Sequence, residues 1–382
     1  MTEALGQHSA NEGVATTAEY SYRQGKIPTL METDMPLARL ALAGASALVL
    51  AACASVPAYP VADVMVSAET VPAGATGDSA DDPAVWKHPT DAALSLVLGT
   101  NKQEGLVVFA LDGSEAQRLP IGPINNVDVR QDIGSPFDIA VASNDTQGIS
   151  VFSINRATGT VAHVNDIPTG KTEPYGICLA DGDSSPIAGV TYKDGTIELW
   201  QIDGEADGVT ATLLRSVKLA TQLEGCVFDE VNGTLVIGEE GHGLWSLAYA
   251  DADAVPVQID SVAAGNGLAA DVEGVSIWRG ADGKGWIVAS AQAADRYVVY
   301  ERQAPHTPMG AFTLVANDAA GVDAVTHTDG LDVFSGALPG YPRGLLVVQD
   351  DANPLKEQDQ NFKLVSWADV EAALGLPLLD AE

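Results

Sequence analysis

The sequence is poor in basic residues. Its 382 residues include 19 Lys and Arg against 52 Asp and Glu, which gives a formal charge of −33. This balance excludes a general nucleic-acid or anionic-membrane surface, because both need basic patches. It does not indicate disorder, since the acidic residues are scattered among Val, Ile and Leu. A folded chain this acidic must disperse its carboxylates, bind cations, or do both.

Cysteine and histidine are also scarce, with three Cys and six His. Cys178 and Cys226 lie in the apolar runs GICLA and GCVFD, so we interpret both as small buried hydrophobic residues and not as a disulfide framework. The scattered His argue against a His-rich dimetal site. Because the chain also lacks an Arg-His pair, a Gly-x-Ser-x-Gly elbow and a cysteine-phosphatase loop, metal-activated water is favoured over a covalent nucleophile.

A change of composition near residue 35 marks a leader. Residues 1–34 are polar and patternless, and we assign them to a disordered extension that translation from Met35 would omit. Residues 35–52 have one cation and then an apolar run, which is typical of a signal peptide and short for a membrane span. The alternative is a buried helix.

The sequence LAAC at residues 50–53 resembles a bacterial lipobox. It predicts lipidation of Cys53 and an exported protein, anchored by lipid in the outer membrane or periplasm, or secreted. Residues 1–52 contain five acidic and three basic residues, so residues 53–382 retain a charge of −31. The acidity therefore belongs to the folded domain, which we place at 53–380.

Alternating apolar residues broken by Gly, Asp and Asn fill this domain and predict β-strands. A helix is indicated only near the end, where Ser366 and Asp369 resemble a capping box and Gly375 stops the pattern. One unit recurs six times: an apolar strand, a polar segment, a short turn and a second strand. The first strands begin near Leu96, Ile139, Ile187, Leu235, Trp286 and Leu345. Repeats about 43 to 59 residues apart in an all-β chain predict a six-bladed β-propeller, with paired β-sandwiches as the alternative.

Two sets of polar residues recur with the repeat. One set precedes each unit, where the innermost strand of a blade would begin: Asp81, Asp82, Asn125, Asn126, Glu173, Glu224, Glu273 and Asp329. The other set forms the polar segments: Asn101-Lys102, Asn144-Asp145, Tyr192-Lys193, Glu239-Glu240, Gln292 and Gln349-Asp350. Equivalent positions of a propeller lie on a ring around its axis. Antiparallel connections would allow both rings to lie at the same end.

Clustered carboxylates stay ionised only if a cation joins them. A donor set of carboxylate, amide and carbonyl oxygens favours Ca²⁺ over Zn²⁺. Lys102 and Lys193, at equivalent repeat positions, suggest an anionic ligand and phosphate above all. The alternatives are that the acids only form turns and that the lysines are solvated.

Many segments resemble the β-propeller phytases, also called alkaline or calcium-dependent phytases. They include GDSADDPAVWKHP, TNKQEGLVVFALDG, INNVDVR, EGCVFDE, DVEGVSIW, TDGLDVF and NQNFKLVSW, and they span about residues 60–375. The resemblance implies a six-bladed propeller that uses several structural and catalytic Ca²⁺ ions to hydrolyse phytate (myo-inositol hexakisphosphate) or other inositol phosphates. It also implies in-line attack by water without a phospho-enzyme. We expect a monomer that binds no nucleic acid.

The resemblance assigns roles to individual residues. It places catalytic Ca²⁺ at Asp81, Glu224, Glu240 and Glu273, with Asp271 nearby, and we add Glu239 to the metal ligands. It places the scissile phosphate at Lys102, Tyr175 and Lys193, and we count these three residues with Glu224 and Glu240 as catalytic. It places structural Ca²⁺ at Asp82, Asn125, the Val127 carbonyl, Asp323 and Asp350. Asp329 lines the same mouth as a further metal ligand, and Gln292 and Asp194 are assigned to substrate binding.

One departure from the family is Asp145, which follows Ser143-Asn144 where the family usually has a phosphate-binding Arg. We expect weaker binding of that phosphate, or recruitment of another ion, unless Arg130 or Arg156 substitutes. The alternative functions are a calcium-dependent propeller lactonase or phosphodiesterase, and a non-catalytic propeller that binds a partner at the cell envelope.

Overall fold

The computed structural model describes residues 59–382, except residues 75, 133–136, 183–184, 206–207 and 357–358. The extension, the signal peptide and the lipidation site at Cys53 lie outside the described residues and stay predictions. The described chain forms six sheets, five of four strands and one of five. The six-bladed β-propeller predicted from the sequence is confirmed.

Each blade is a meander of antiparallel strands. From innermost to outermost, blade 1 contains Ala80–Trp86, Leu96–Asn101, Gly105–Ala110 and Glu115–Leu119. Blade 2 contains Ile124–Arg130, Phe137–Asn144, Gly148–Asn155 and Val161–Ile167. Blade 3 contains Pro174–Ala180, Ile187–Tyr192, Thr196–Glu205 and Gly208–Lys218. Blade 4 contains Leu223–Asp229, Thr234–Glu239, Gly243–Ala248 and Val257–Ser261.

The last two blades are completed by the N-terminal part of the domain. Blade 5 contains Val275–Arg279, Gly285–Ala291, Arg296–Glu301 and Pro308–Val315, with Val61–Met65 added in parallel at its outer edge. Blade 6 contains Leu331–Phe334, Leu345–Asp350 and Asn361–Ser366, and Ala68–Glu69 supplies its outermost strand. The innermost strands of neighbouring blades are in contact all the way round, including blade 6 with blade 1. Pairing of Ala68–Glu69 with the last strand, Asn361–Ser366, completes blade 6 beside blade 1 and closes the ring.

The hydrophobic core is divided among the six junctions between blades. Each junction holds one cluster of buried side chains, contributed mainly by the facing sheets. The second strands are buried on both faces, as Leu96–Asn101 shows. This explains why they read as nearly continuous apolar runs in the sequence.

Short helices occupy the connections and the C-terminus. One α-helix, Trp367–Leu374, follows the last strand, and Gly375 ends it in the left-handed conformation at φ 63°. Ser366 precedes this helix as predicted, but its side chain makes no capping hydrogen bond, so the predicted capping box is wrong. The 3₁₀ turns are Ala92–Leu94, Ala281–Gly283 and Gln292–Ala294. Among the described residues, no helix is long and apolar enough to cross a membrane.

Cys178 and Cys226 form a disulfide bond, which corrects their assignment as free hydrophobic residues. Both are buried as expected, but they lie on the innermost strands of blades 3 and 4. The bond therefore links neighbouring blades near the axis. Their separation of 48 residues is about one repeat, and this was the sequence signal for the pairing.

Removal of this bond should lower the stability of the fold. A cross-link that closes a loop of this length stabilises a protein by about 2–4 kcal/mol, largely by restricting the unfolded chain. We expect the Cys178→Ala/Cys226→Ala double variant to unfold at a lower urea concentration than the wild type under oxidising conditions. Strong reductant should remove that difference. Equal midpoints under oxidising conditions would contradict the assignment.

Candidate active site

The innermost strands begin with an irregularity that is repeated around the axis. In blade 4, Leu223 pairs with Glu239 and Cys226 pairs with Ile237, so two residues oppose Gly238 alone. Blades 1, 2 and 3 show the same shift in register. In blades 5 and 6 the equivalent pair directly precedes the innermost strand. We call these two-residue pairs the bulges: Asp81-Asp82, Asn125-Asn126, Tyr175-Gly176, Glu224-Gly225, Glu273-Gly274 and Asp329-Gly330.

The first residue of each bulge belongs to one ring of side chains at one end of the axis. The ring residues are Asp81, Asn125, Tyr175, Glu224, Glu273 and Asp329. In blade 3 the sequence repeat placed Glu173 here, but Glu173 is exposed and precedes the bulge by two residues, so that placement is wrong. The bulges face the polar segments, since Ala80 pairs with Asn101 and Ile124 with Asn144. Both rings therefore lie at the same end of the axis, the arrangement that antiparallel connections allow.

Three carboxylates converge at the mouth, by which we mean the end of the axis that carries this ring. One oxygen from each of Glu224, Glu240 and Glu273 lies within 4.8 Å of the other two. Two oxygens bound to one Ca²⁺ at about 2.4 Å can be no more than about 4.8 Å apart. Both carboxylate oxygens of Asp81 and one of Glu224 are buried without a hydrogen-bond partner. An all-oxygen group with unsatisfied buried carboxylates fits a hard divalent cation.

Burial raises the pKa of these carboxyl groups when no cation is bound. Burial, opposed by Lys102 and reinforced by Asp329, raises the pKa of Asp81 to about 7. Burial and then the negative charge of Asp329 raise the pKa of Glu273 to about 10. The pKa of Glu224 is well above its ordinary value because of burial and the nearby Glu273. A cation would reverse these shifts by favouring the charged form.

Lys102 places an ammonium group beside two acidic residues of the ring. Its Nζ lies 3.0 Å from Asp329 Oδ2, 3.2 Å from Asp78 Oδ1 and 3.7 Å from Asp81 Oδ2. Burial lowers the pKa of Lys102, but the surrounding carboxylates outweigh this effect and raise the pKa overall. The ammonium is therefore permanently charged and held at the mouth. The contact with Asp78 was not predicted from the sequence.

Two further predicted phosphate ligands lie side by side in blade 3. The Lys193 ammonium lies 4.2 Å from the centre of the Tyr175 ring, in a cation–π contact. The negative charge of Glu224, together with burial, raises the pKa of Tyr175, so its hydroxyl stays protonated and can donate a hydrogen bond. Both side chains are therefore suited to contact an anion.

Two glutamine side chains donate hydrogen bonds to carboxylates at the mouth. Gln292 Nε2 donates to Glu273 Oε2 at 2.8 Å and also to Asp329, and thus bridges two carboxylates that repel each other. Glu240 accepts a 2.6 Å hydrogen bond from Gln222, a contact with no recognised signal in the sequence.

Of two further predicted metal ligands, Asp271 lies near the carboxylate group, whereas Glu239 is hydrogen-bonded to Thr221. The charge of Asp271, after burial, contributes to raising the pKa of Glu240. The fully buried Glu239 instead accepts hydrogen bonds from the Thr221 main chain and hydroxyl.

A cavity of about 350 Å³ follows the central channel inside the ring and is lined in part by Asp82 and Val127. Asp82 Oδ2 accepts a 3.1 Å hydrogen bond from the Val127 N–H, which joins blades 1 and 2. Burial raises the pKa of Asp82 well above its ordinary value.

Asn125 donates to Asp145 at 2.7 Å, so the residue that departs from the family lies beside the ring.

Neither proposed substitute for the missing arginine reaches that position. Arg130 lies at the opposite end of the innermost strand of blade 2 and pairs with Asp128 and Glu230. Arg156 pairs with Asp132. The position at Asp145 therefore lacks a compensating arginine from either source.

Asp323 and Asp350 form a separate cluster around an internal cation. The fully buried Lys363 ammonium lies 2.7 Å from Asp323 Oδ1 and 3.0 Å from Asp350 Oδ2, and it also contacts Glu69. Burial raises the pKa of Asp350 to about 6, although Lys363 opposes the shift. The structure therefore places these two predicted structural-calcium ligands around an ammonium group.

Asp194 is paired with lysines and does not join the carboxylate group. Lys171 and Lys218 lie 2.9 Å and 3.2 Å from its Oδ2. Hydrogen bonds from Thr196 and Lys171 outweigh its partial burial and lower the pKa of Asp194. Its assignment to substrate binding stays a prediction.

Comparison with known proteins identifies the family. The family model for phytase matches residues 32–380. A 3-phytase of Bacillus subtilis (strain 168) is 37% identical over 328 residues, which cover 82% of this chain and 85% of the relative. This chain belongs to the phytase family. It is a phosphoric monoester hydrolase, and the relationship supports phytate as its substrate. A solved structure of BBS1N in complex with ARL6DN aligns at a TM-score of 0.43 and 13% identity, over 71% of this chain and 74% of that one, too distantly to bear on the phytase.

The raised carboxyl pKa values predict how pH affects the stability of the metal-free phytase. Between pH 4 and the raised values, about 7 for Asp81 and about 10 for Glu273, the folded state binds more protons than the unfolded chain. The contribution of these groups to the free energy of unfolding must therefore fall as pH rises through this window. We expect a lower Tm at pH 8.5 than at pH 5.5 in excess chelator, measured by thermal melts.

The Glu224→Gln variant provides the matched test, because it removes one of the buried acids that repel the others. Its decrease in Tm between the two pH values should be smaller than that of the wild type. A wild-type Tm that stays constant or rises over this interval would show that these carboxyl groups do not titrate as described.

Proposed function

We propose that this phytase binds Ca²⁺ at the ring and removes phosphate from phytate by direct attack of water. The observation that supports this best is the convergence of Glu224, Glu240 and Glu273 beside the unsatisfied Asp81 carboxylate. Bound Ca²⁺ would neutralise phosphate oxygens and lower the pKa of a water molecule positioned for in-line attack.

The residues of this chain would divide the remaining work. Asp81, Glu224, Glu240 and Glu273 would hold the metal through their oxygens. Lys102, fixed beside Asp81 and Asp329, would contact a phosphate at the mouth and offset charge that develops in the transition state. The protonated Tyr175 hydroxyl and the Lys193 ammonium would bind and orient the phosphate from blade 3. No side chain need form a bond to phosphorus.

Calcium dependence is the first test of this proposal. Phosphate release from phytate should cease in excess chelator and return as Ca²⁺ is added. The Glu240→Gln variant should need a higher Ca²⁺ concentration, because it lacks one charged ligand of the group. Asp369→Asn, on the C-terminal helix, serves as the control and should behave as the wild type. Full activity in chelator would exclude the metal role.

Lys102→Ala tests the phosphate contact. Loss of a hydrogen bond to a charged group costs about 1.5–3 kcal/mol, so kcat/KM for phytate should fall roughly 10- to 150-fold. Lys284→Ala is the control, because Lys284 is exposed and precedes the second strand of blade 5 at the end remote from the ring. Steady-state phosphate release gives both values. Equal kinetics for the two variants would remove Lys102 from the site.

A further inference from the structure

Buried hydroxyl groups face the bulges in four of the six blades. The residues are Thr100, Ser143, Thr191 and Ser290, and each has no exposed surface. Each oxygen accepts a hydrogen bond of 2.8–2.9 Å from the second amide of the bulge that it faces: Asp82, Asn126, Gly176 and Gly274, respectively. The same contact therefore occurs in blades 1, 2, 3 and 5.

Three of these hydroxyls also reach into the next blade. Thr191 donates to the Glu224 carbonyl at 2.7 Å, and Ser290 donates to the Asp329 carbonyl at 3.1 Å. Ser143 donates in the same way to the Tyr175 carbonyl. Each acceptor is the main chain of a ring residue. A single hydroxyl thus connects the bulge of one blade to the ring residue of the next.

Two blades achieve an equivalent connection without a hydroxyl. In blade 4, where Gly238 faces the bulge, the Gly225 N–H donates directly to the Glu273 carbonyl at 2.7 Å. A Cβ atom at Gly225 would lie 1.8 Å from that oxygen, so only glycine allows this approach. In blade 6, the Gly330 N–H donates to the Asp81 carbonyl at 3.0 Å. Five ring residues are therefore held through their carbonyl oxygens by the preceding blade.

We propose that Ser143, Thr191 and Ser290 are positioning residues that set the placement of Tyr175, Glu224 and Asp329 around the axis. The side chains of Tyr175, Glu224 and Asp329 lie at the mouth, and the preceding blade holds the main chain of each residue. Loss of the hydroxyl at Ser143 or Thr191 leaves a buried N–H and a buried carbonyl unpaired. Loss of the Ser290 hydroxyl leaves only a longer direct hydrogen bond of 3.2 Å from the Gly274 N–H to the Asp329 carbonyl, and either change favours a shift of the bulge. The inference rests on the proposed function of the ring.

The test compares two serines at the same junction between blades 5 and 6. Ser276 Oγ accepts from the Val333 N–H at 3.0 Å and donates to Asp332 at 2.9 Å, further down the channel. Ser290→Ala and Ser276→Ala therefore each remove a largely buried hydroxyl that links these blades. We expect Ser290→Ala to lower Ca²⁺ affinity, measured by calorimetry, and kcat for phytate roughly 10- to 100-fold. Ser276→Ala should keep both within about twofold, with a similar decrease in Tm.

A second pair of variants separates the hydroxyl from side-chain volume. Thr191→Val keeps the shape of the side chain without a donor, and it should lose Ca²⁺ affinity and turnover as Ser290→Ala does. Thr191→Ser keeps the hydroxyl and should retain the Ca²⁺ affinity and the turnover of the wild type. If the alanine variants do not fold, Ser290→Cys, whose thiol donates only weakly, should lose Ca²⁺ affinity and turnover to an intermediate degree. A Ser290→Cys variant without such a loss would overturn the proposal.

The outcomes distinguish this inference from the function on which it rests. A wild type that releases no phosphate at any Ca²⁺ concentration would contradict the proposed function itself. An active wild type with unchanged Ser290→Ala and Thr191→Val variants would overturn only the positioning role. Equal losses in Ser290→Ala and Ser276→Ala that follow Tm would likewise assign both serines to stability alone.

Discussion

Repulsion between buried carboxylates is the constraint on which this site depends. The propeller places equivalent bulges at one end of its axis, and the acids at four of these positions are Asp81, Glu224, Glu273 and Asp329. Hydrogen bonds from each bulge to its own blade or to a neighbour hold these acids in place. Their charge must therefore be balanced by protons, by an internal ammonium group or by a bound cation.

The two internal ammonium groups balance charge in different ways. Lys363 has no exposed surface and is enclosed by Glu69, Asp323 and Asp350, so it acts as a fixed structural cation. The Lys102 side chain keeps about a fifth of its surface exposed at the mouth. A partly exposed ammonium can exchange a carboxylate for a phosphate oxygen at low cost, whereas moving a buried one would leave several charges unpaired. This difference suits Lys102 to substrate binding and Lys363 to stability.

The repeat was readable from the sequence because buried strands and polar segments alternate with a regular period. The same regularity placed five of the six ring residues, and it failed in blade 3, where Tyr175 replaces an acid and Glu173 stood nearby as the better match to the pattern. The disulfide was missed because two cysteines do not make a disulfide framework, and their one-repeat spacing indicates a pair only when neighbouring blades are known to lie side by side. The buried hydroxyls were missed because a single Ser or Thr in a strand has no distinctive signature, although three of the four directly precede a polar segment and Ser290 lies two residues before Gln292.

The substrate binding and cation binding proposed for this mouth must be linked. The acidic groups spread over the surface act on a distant anion only weakly at physiological ionic strength, because charges separated by more than about 8 Å are largely screened. The ring acts at contact distance and is not screened in this way. A phosphate ester would therefore meet net repulsion at a metal-free, deprotonated ring and attraction at a neutralised one. By thermodynamic reciprocity, a phosphate at the mouth must in turn raise the affinity of the ring for its cation.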